Sequence, residues 1–172
     1  MAPSRSFYRS TLGVISLLGA MSLATALATQ ISDQVVNGAF VPEEYFSYFT
    51  IQTSLANLVG LTAAGLYRLQ SAADSLLLGA VMKALVAYAI VTGVVYNLLL
   101  RGLPTEPGEF VSEIPFPNEI LHVVIPVYLA LDWLLTPHRV RLPAWSLLTG
   151  LVYPIVWVIF TLIRGDQTGW YP

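Results

Sequence analysis

Residues 76–100 read LLLGAVMKALVAYAIVTGVVYNLLL, an apolar run that contains a single charged residue, Lys83. About 20 residues of helix cross the hydrocarbon core of a bilayer, so this run predicts a transmembrane helix. Similar stretches predict four more spans, and the five together cover residues 11–31, 48–67, 76–100, 118–135 and 144–163. The residue alternation of barrel strands is missing. The predicted fold is therefore an all-α, polytopic transmembrane helical bundle of about five spans, with residues 1–172 in one domain.

The composition supports a membrane protein and excludes several function classes. Only 10% of the residues are charged, against roughly 25% in a typical soluble domain, and the mean hydropathy is +0.69. The net charge of −2 and the lack of a basic patch argue against a nucleic-acid partner. The sequence has no cysteine, no glycine-rich phosphate loop and no paired-histidine motif. We therefore expect no cofactor and no metal, and we expect membrane lipids as partners.

The distribution of arginines predicts the orientation of the chain. Lys and Arg are enriched in cytoplasmic loops, and here five arginines fall on one side of the membrane against two on the other. The first set is Arg5, Arg9, Arg68, Arg139 and Arg141, and the second is Arg101 and Arg164. We therefore expect an integral protein of the bacterial cytoplasmic membrane with its N-terminus in the cytoplasm.

Two alternatives concern the ends of the chain. Residues 1–28 carry two arginines, an apolar run and the sequence Ala-Leu-Ala, which together resemble a cleavable signal peptide. The run is longer than a usual signal core, which favours a retained helix. At the other end, residues 169–172 (GWYP) follow the fifth span with no sixth helix, as in a six-span protein shortened at its C-terminus.

The predicted topology brings two reactive side chains to a similar depth. The second and fourth spans both enter from the outer side, so Thr50 and His122 lie in the outer half of the membrane. A threonine and a histidine at matched depth are suited to act as nucleophile and general base. Glu119 precedes His122 by one turn and is suited to orient the imidazole, and Asn57 or Asn97 is a candidate oxyanion donor.

Packing is the competing explanation for the polar residues in the spans. Small and hydroxylated residues along one helix face usually mark close helix–helix contact. The second span carries such a stripe at Thr50, Thr53, Ser54, Asn57, Gly60 and Ala64, and the fifth at Ser146, Gly150, Tyr153, Trp157 and Thr161. For the buried charges we expect a structural ion pair between Lys83 and Asp132.

Four short motifs resemble the androgen-induced integral membrane protein family and its bacterial relatives. They are residues 48–52 (YFTIQ), 121–126 (LHVVIP), 132–133 (DW) with 137–139 (PHR), and 169–172 (GWYP). Animal members of that family are membrane-embedded threonine hydrolases that cleave fatty-acid esters of hydroxy fatty acids with one Thr and one His. The resemblance implies that Thr50 and His122 are these residues. The family usually has six helices, and its bacterial relatives often have Ser-Asn where this chain has Thr53-Ser54.

The function expected from the sequence is lipid-ester hydrolysis by a Thr50 nucleophile and a His122 base, with Glu119 as the third member of the site. Two other classes stay open. The chain could be a non-catalytic accessory or packing subunit of a larger membrane complex, or part of a homo-oligomer, with its polar stripes as interfaces. It could also be a small transporter in which Lys83, Asp132 and Asn97 line a path.

Overall fold

The computed structural model describes residues 5–70, 75–104, 110–136, 143 and 146–172. Within these ranges the chain is helical and contains no strand, which confirms the all-α prediction. The α-helices are α1 (Arg5–Val36), α2 (Pro42–Tyr45), α3 (Phe49–Gln70), α4 (Leu76–Val95), α5 (Phe116–Glu119), α6 (Ile125–Leu135) and α7 (Ser146–Thr168). One π-helical segment, Tyr96–Leu100, extends α4, and a second, Ile120–Val124, joins α5 to α6.

The helices reproduce the five predicted apolar segments. Three helical stretches of the described chain are long and apolar enough to cross a membrane: Phe7–Val36, Leu76–Leu100 and Phe116–Leu135. The other two predicted segments coincide with α3 and α7, which are 22 and 23 residues long. Many large apolar side chains of α7 are exposed on the bundle surface, among them Leu151, Ile155 and Phe160. The chain is a polytopic helical bundle, as predicted from the sequence.

Helices α1 and α3 pack closely because two glycines face each other. A Cβ atom added to Gly13 would lie 3.0 Å from the carbonyl oxygen of Gly65, so no larger side chain separates the two backbones. Small residues allow this approach in membrane proteins, where van der Waals packing rather than water exclusion joins helices. Leu23, Leu61 and Leu129 are almost fully buried, and they join α1, α3 and α6 in one apolar core.

The polar stripe of α3 faces the interior of the bundle. Its buried members are Thr53, Ser54, Asn57, Gly60 and Ala64. Gly60 lies directly against the side chain of Leu85 in α4. The packing interpretation of this stripe is therefore confirmed for these residues.

Helix α7 is held to α3, α4 and the segment before α3 by side-chain hydrogen bonds. Tyr88 donates to the carbonyl oxygen of Gly150 at 2.7 Å, and Tyr153 donates to Oε1 of Gln52 at 2.7 Å. Further along, Trp157 Nε1 donates to the carbonyl oxygen of Ser47 at 2.9 Å, and Lys83 reaches Ser146 Oγ at 3.4 Å. The predicted stripe of α7 is thus a docking face within the same chain.

The predicted ion pair between Lys83 and Asp132 is wrong. Asp132 instead accepts two hydrogen bonds from the guanidinium of Arg68, at 2.9 and 2.8 Å, and only 17% and 9% of these side chains are exposed. Arg68 also donates to Ser16 Oγ at 2.8 Å, and Ser16 is 3.0 Å from the hydroxyl of Tyr128. A planar guanidinium matches a carboxylate in this two-point geometry, which a lysine ammonium cannot do.

Candidate functional site

His122 lies where the two π-helical segments meet. Its imidazole stacks on the ring of Tyr96, with ring centroids 3.9 Å apart and an interplanar angle of 19°. The helices approach closely here because of Gly93: an added Cβ would lie 2.9 Å from Pro126 Cβ and 3.0 Å from the carbonyl oxygen of His122. Single-turn π segments inside α-helices frequently occur at functional sites.

The hydrogen bond at Nδ1 fixes which imidazole nitrogen is available as a base. His122 Nδ1 lies 3.0 Å from the backbone carbonyl oxygen of Asn118. A carbonyl oxygen can only accept, so in the neutral imidazole Nδ1 carries the proton and Nε2 keeps its lone pair. In the part of the chain that the structure describes, Nε2 has no hydrogen-bond partner. The ring is therefore oriented with its basic nitrogen free.

Two further hydrogen bonds hold the side chain of Asn118. Gln30 Nε2 donates to Asn118 Oδ1 at 3.1 Å, and the hydroxyl of Tyr45 donates to Gln30 Oε1 at 3.1 Å. Tyr45 is 5% exposed, and desolvation by burial raises the pKa of its hydroxyl from 10.0 to about 12. The hydroxyl therefore stays a donor at neutral pH, and α1 and α2 both help to position the carbonyl that orients His122.

Glu119 holds an arginine rather than the imidazole. Its two carboxylate oxygens contact the guanidinium of Arg101 at 2.9 and 2.8 Å, and the hydrogen bond to Glu119 raises the pKa of Arg101. Arg101 Nε in turn donates to Asn97 Oδ1 at 3.0 Å. The group that orients the His122 ring is therefore the Asn118 carbonyl oxygen and not the Glu119 carboxylate, which instead pairs with Arg101.

The two asparagines that were candidate oxyanion donors differ in their contacts. Asn97 Nδ2 donates to the carbonyl oxygens of Gly93 at 2.8 Å and His122 at 3.0 Å, so both of its amide protons are engaged. Asn57 is 2% exposed and its Oδ1 has no hydrogen-bond partner among the described residues. However, Asn57 follows Thr50 by seven residues, about 10 Å along the helix axis, which places it two turns deeper in the bundle.

Thr50 lies in the first turn of α3 and is half-buried. In the described ranges no hydrogen bond joins it to His122. The register of the helices nevertheless puts the two residues at a similar depth. Gly60 of α3 contacts Leu85 of α4. Thr50 lies ten residues before Gly60 in α3, and Val95 lies ten residues after Leu85 in α4. Thr50 is thus level with the start of the π segment whose Tyr96 stacks on His122.

Sequence reasoning missed four residues, Tyr96, which stacks on His122, and Gln30, Tyr45 and Arg101, which belong to the hydrogen-bond network beside it. Tyr96 and Gln30 lie in apolar spans and carried no motif, and the decisive group of Asn118 is a backbone atom, which no residue type marks. His138, Arg139 and Arg141 lie outside the described residues.

The chain was compared with family models, with curated proteins and with solved structures, and none of them matches it. Among the described residues, no three His, Asp or Glu side chains form a group that could hold a metal ion.

Proposed function

We propose that this protein is an intramembrane lipid-ester hydrolase in which Thr50 is the nucleophile and His122 the general base. The observation that carries the proposal is the hydrogen bond from His122 Nδ1 to the Asn118 carbonyl oxygen, which leaves Nε2 basic and without a partner. A general base needs this tautomer and a fixed orientation. The threonine hydrolases that the sequence motifs resemble also use one threonine and one histidine.

The reaction proceeds in two steps. Thr50 Oγ attacks the ester carbonyl carbon as its proton passes to His122 Nε2. The C–O bond of the ester then breaks, the leaving alkoxide takes the proton from His122, and an acyl-threonine remains. A water molecule, deprotonated by His122, attacks the acyl carbon and releases the carboxylic acid and the free Thr50 hydroxyl.

The position of Thr50 at the start of α3 supplies a source of oxyanion stabilisation. Backbone N–H groups in the first turn of a helix have no acceptor within the helix, and they lie at the positive end of its dipole. Such groups stabilise the negative charge that develops on a carbonyl oxygen. With both amide protons of Asn97 engaged and Asn57 two turns deeper, we assign oxyanion stabilisation to backbone N–H groups of this first turn.

The substrate class follows from the surroundings of the site. Thr50 and His122 belong to helices whose outer faces are apolar, so a substrate reaches them from the bilayer as a dissolved acyl ester. Nucleophile and base are often apart in an enzyme without substrate and come together in its complex. With the N-terminus in the cytoplasm, the site lies in the outer half of the bacterial cytoplasmic membrane.

The alternative functions receive less support from the contacts. An accessory subunit would offer its polar stripes to a partner, yet the stripes of α3 and α7 are occupied within this chain. A transport path would need Lys83, Asp132 and Asn97 to line one route. They instead make separate contacts with Ser146, Arg68 and His122.

The test is covalent labelling of the purified protein in detergent or liposomes with a fluorophosphonate probe. We expect labelling of the wild type, its loss in Thr50→Ala and His122→Ala, and its retention in Thr50→Ser. Thr62→Ala is the matched control, because Thr62 is in the same helix and its hydroxyl donates only to the Leu58 carbonyl oxygen at 2.8 Å. Labelling that persists in a folded Thr50→Ala protein would reject Thr50 as the nucleophile.

A further inference from the structure

Arg164, a half-buried residue near the end of α7, is a cation that has no counter-ion among the described residues. Its Nη1 atom is buried and has no hydrogen-bond partner among the described residues, and the same holds for Thr161 Oγ1, three residues earlier. No described carboxylate forms an ion pair with it. Arg68 and Arg101 differ in this respect, because each makes a two-point contact with a carboxylate.

The ring of Trp170 covers the guanidinium of this arginine. The guanidinium carbon of Arg164 lies 4.5 Å from the ring centroid of Trp170, and the Trp170 ring packs edge-on against Tyr48 at 5.6 Å. The chain reverses at Gly169, where φ is +72°, and this turn brings Tyr171 onto Gly165. The left-handed conformation at position 169 is one that glycine adopts without strain, and the turn sets Trp170 as a cap over the guanidinium.

Two donors in this arrangement require an acceptor. Leaving a buried N–H or O–H without a hydrogen bond is costly, and the cost is greater for a charged group. Arg164 and Thr161 are one turn apart on the face of α7 that also carries Trp157 and Tyr153, so both donors can reach one ligand. The planar fork of arginine matches the oxygens of phosphate, and a hydroxyl donates to a third oxygen.

The location indicates where this ligand comes from. Arg164 directly follows the fifth predicted span; its guanidinium lies over the Trp170 ring, which contacts Tyr48, and Tyr171 packs on the adjacent Gly165. Tryptophan and tyrosine concentrate at the depth of the lipid headgroups. We propose that Arg164 and Thr161 bind a phosphate oxyanion beneath the Trp170 cap, supplied by the headgroup of an anionic phospholipid. This site is separate from Thr50 and His122, and it stands whether or not the protein is a hydrolase.

The experiment measures lipid retention by native mass spectrometry of the purified full chain in detergent. The probes are dioleoyl phosphatidic acid and dioleoylglycerol, which differ only in the phosphate. We expect the wild type to retain phosphatidic acid and not dioleoylglycerol. Arg164→Gln should weaken retention of phosphatidic acid by about tenfold or more, because it removes a charged hydrogen-bond donor. Thr161→Val should weaken it by a few-fold with the charge unchanged.

Thr62→Val is the matched control for Thr161→Val, because the Thr62 hydroxyl already donates to the Leu58 carbonyl oxygen at 2.8 Å. Equal retention by wild type and both site variants, or an equal loss in Thr62→Val, would overturn the proposal. If Arg164→Gln does not fold, Thr161→Val decides alone. Adding inorganic phosphate identifies the source: competition supports a site for free phosphate, and its absence supports a site for the lipid headgroup.

Discussion

The imidazole of His122 stacks on the phenol ring of Tyr96, with centroids 3.9 Å apart and ring planes 19° apart. The stack joins the two π-helical segments, Tyr96–Leu100 and Ile120–Val124. Stacking limits the tilt of the imidazole, while the hydrogen bond from Nδ1 to the Asn118 carbonyl oxygen limits its rotation. Two contacts from different helices thus hold one side chain in a single orientation.

The stack should affect the rate of the chemical step. We expect Tyr96→Ala to slow fluorophosphonate labelling of Thr50 by about ten- to a hundredfold, since small displacements of a catalytic group have effects of this size. Tyr96→Phe keeps the ring and should label at nearly the wild-type rate. Labelling kinetics measure both variants, and a wild-type rate in Tyr96→Ala would show that the stack does not position His122.

The Arg68–Asp132 pair should be essential for stability. Asp132→Asn leaves the buried guanidinium of Arg68 without its counter-charge, and breaking one partner of a buried pair costs about 3–5 kcal/mol. We expect a large fall in the melting temperature in detergent. Glu119→Gln is the control, since its pair with Arg101 is exposed on the bundle surface and should change the melting temperature little. Equal effects in the two variants would contradict this assignment.

The close approach of α4 to the His122 segment should depend on Gly93. An added methyl group meets Pro126 Cβ at 2.9 Å and the His122 carbonyl oxygen at 3.0 Å, so Gly93→Ala should push the helices apart. Overpacking of this kind costs about 1–3 kcal/mol. Gly150→Ala is the matched control, because the nearest atom to an added methyl is Ala84 Cβ at 3.9 Å. Thermal unfolding of both variants measures the difference, which should be absent if position 93 tolerates a side chain.

The hydroxyl of Tyr45 should make stability depend on alkaline pH. Burial raises its pKa from 10.0 to about 12 in the folded chain, so the folded state favours the protonated form. The stability that this group contributes is present below pH 10 and is lost as the pH rises towards 12. Wild type should therefore lose more stability across this range than Tyr45→Phe. Parallel melting curves for the two proteins, measured at several pH values, would refute the assignment.

Much of the fold could be predicted because lipid imposes a strict rule on the sequence. A segment that crosses the hydrocarbon must be apolar and must satisfy its own backbone groups, so the runs at residues 11–31, 48–67, 76–100 and 118–135 are each helical, the second from Phe49 onwards and the last two with a π-helical segment. The depth match of Thr50 and His122 also followed from span order and length, and the helix register agrees with it. The hydrolase function remains a prediction.

The sequence by itself determined which segments are helical and which polar residues lie inside the bundle, because hydropathy and helical periodicity are local properties of the chain. Tertiary structure decided the partners. Arg68 rather than Lys83 pairs with Asp132, and the Asn118 carbonyl oxygen rather than the Glu119 carboxylate orients His122. Which side chains pair depends on the rotation of each helix about its axis, and the partner of His122 is a backbone atom that no residue type marks. The close contacts at Gly13, Gly60 and Gly93 bring distant segments together, so tertiary packing decides these partners.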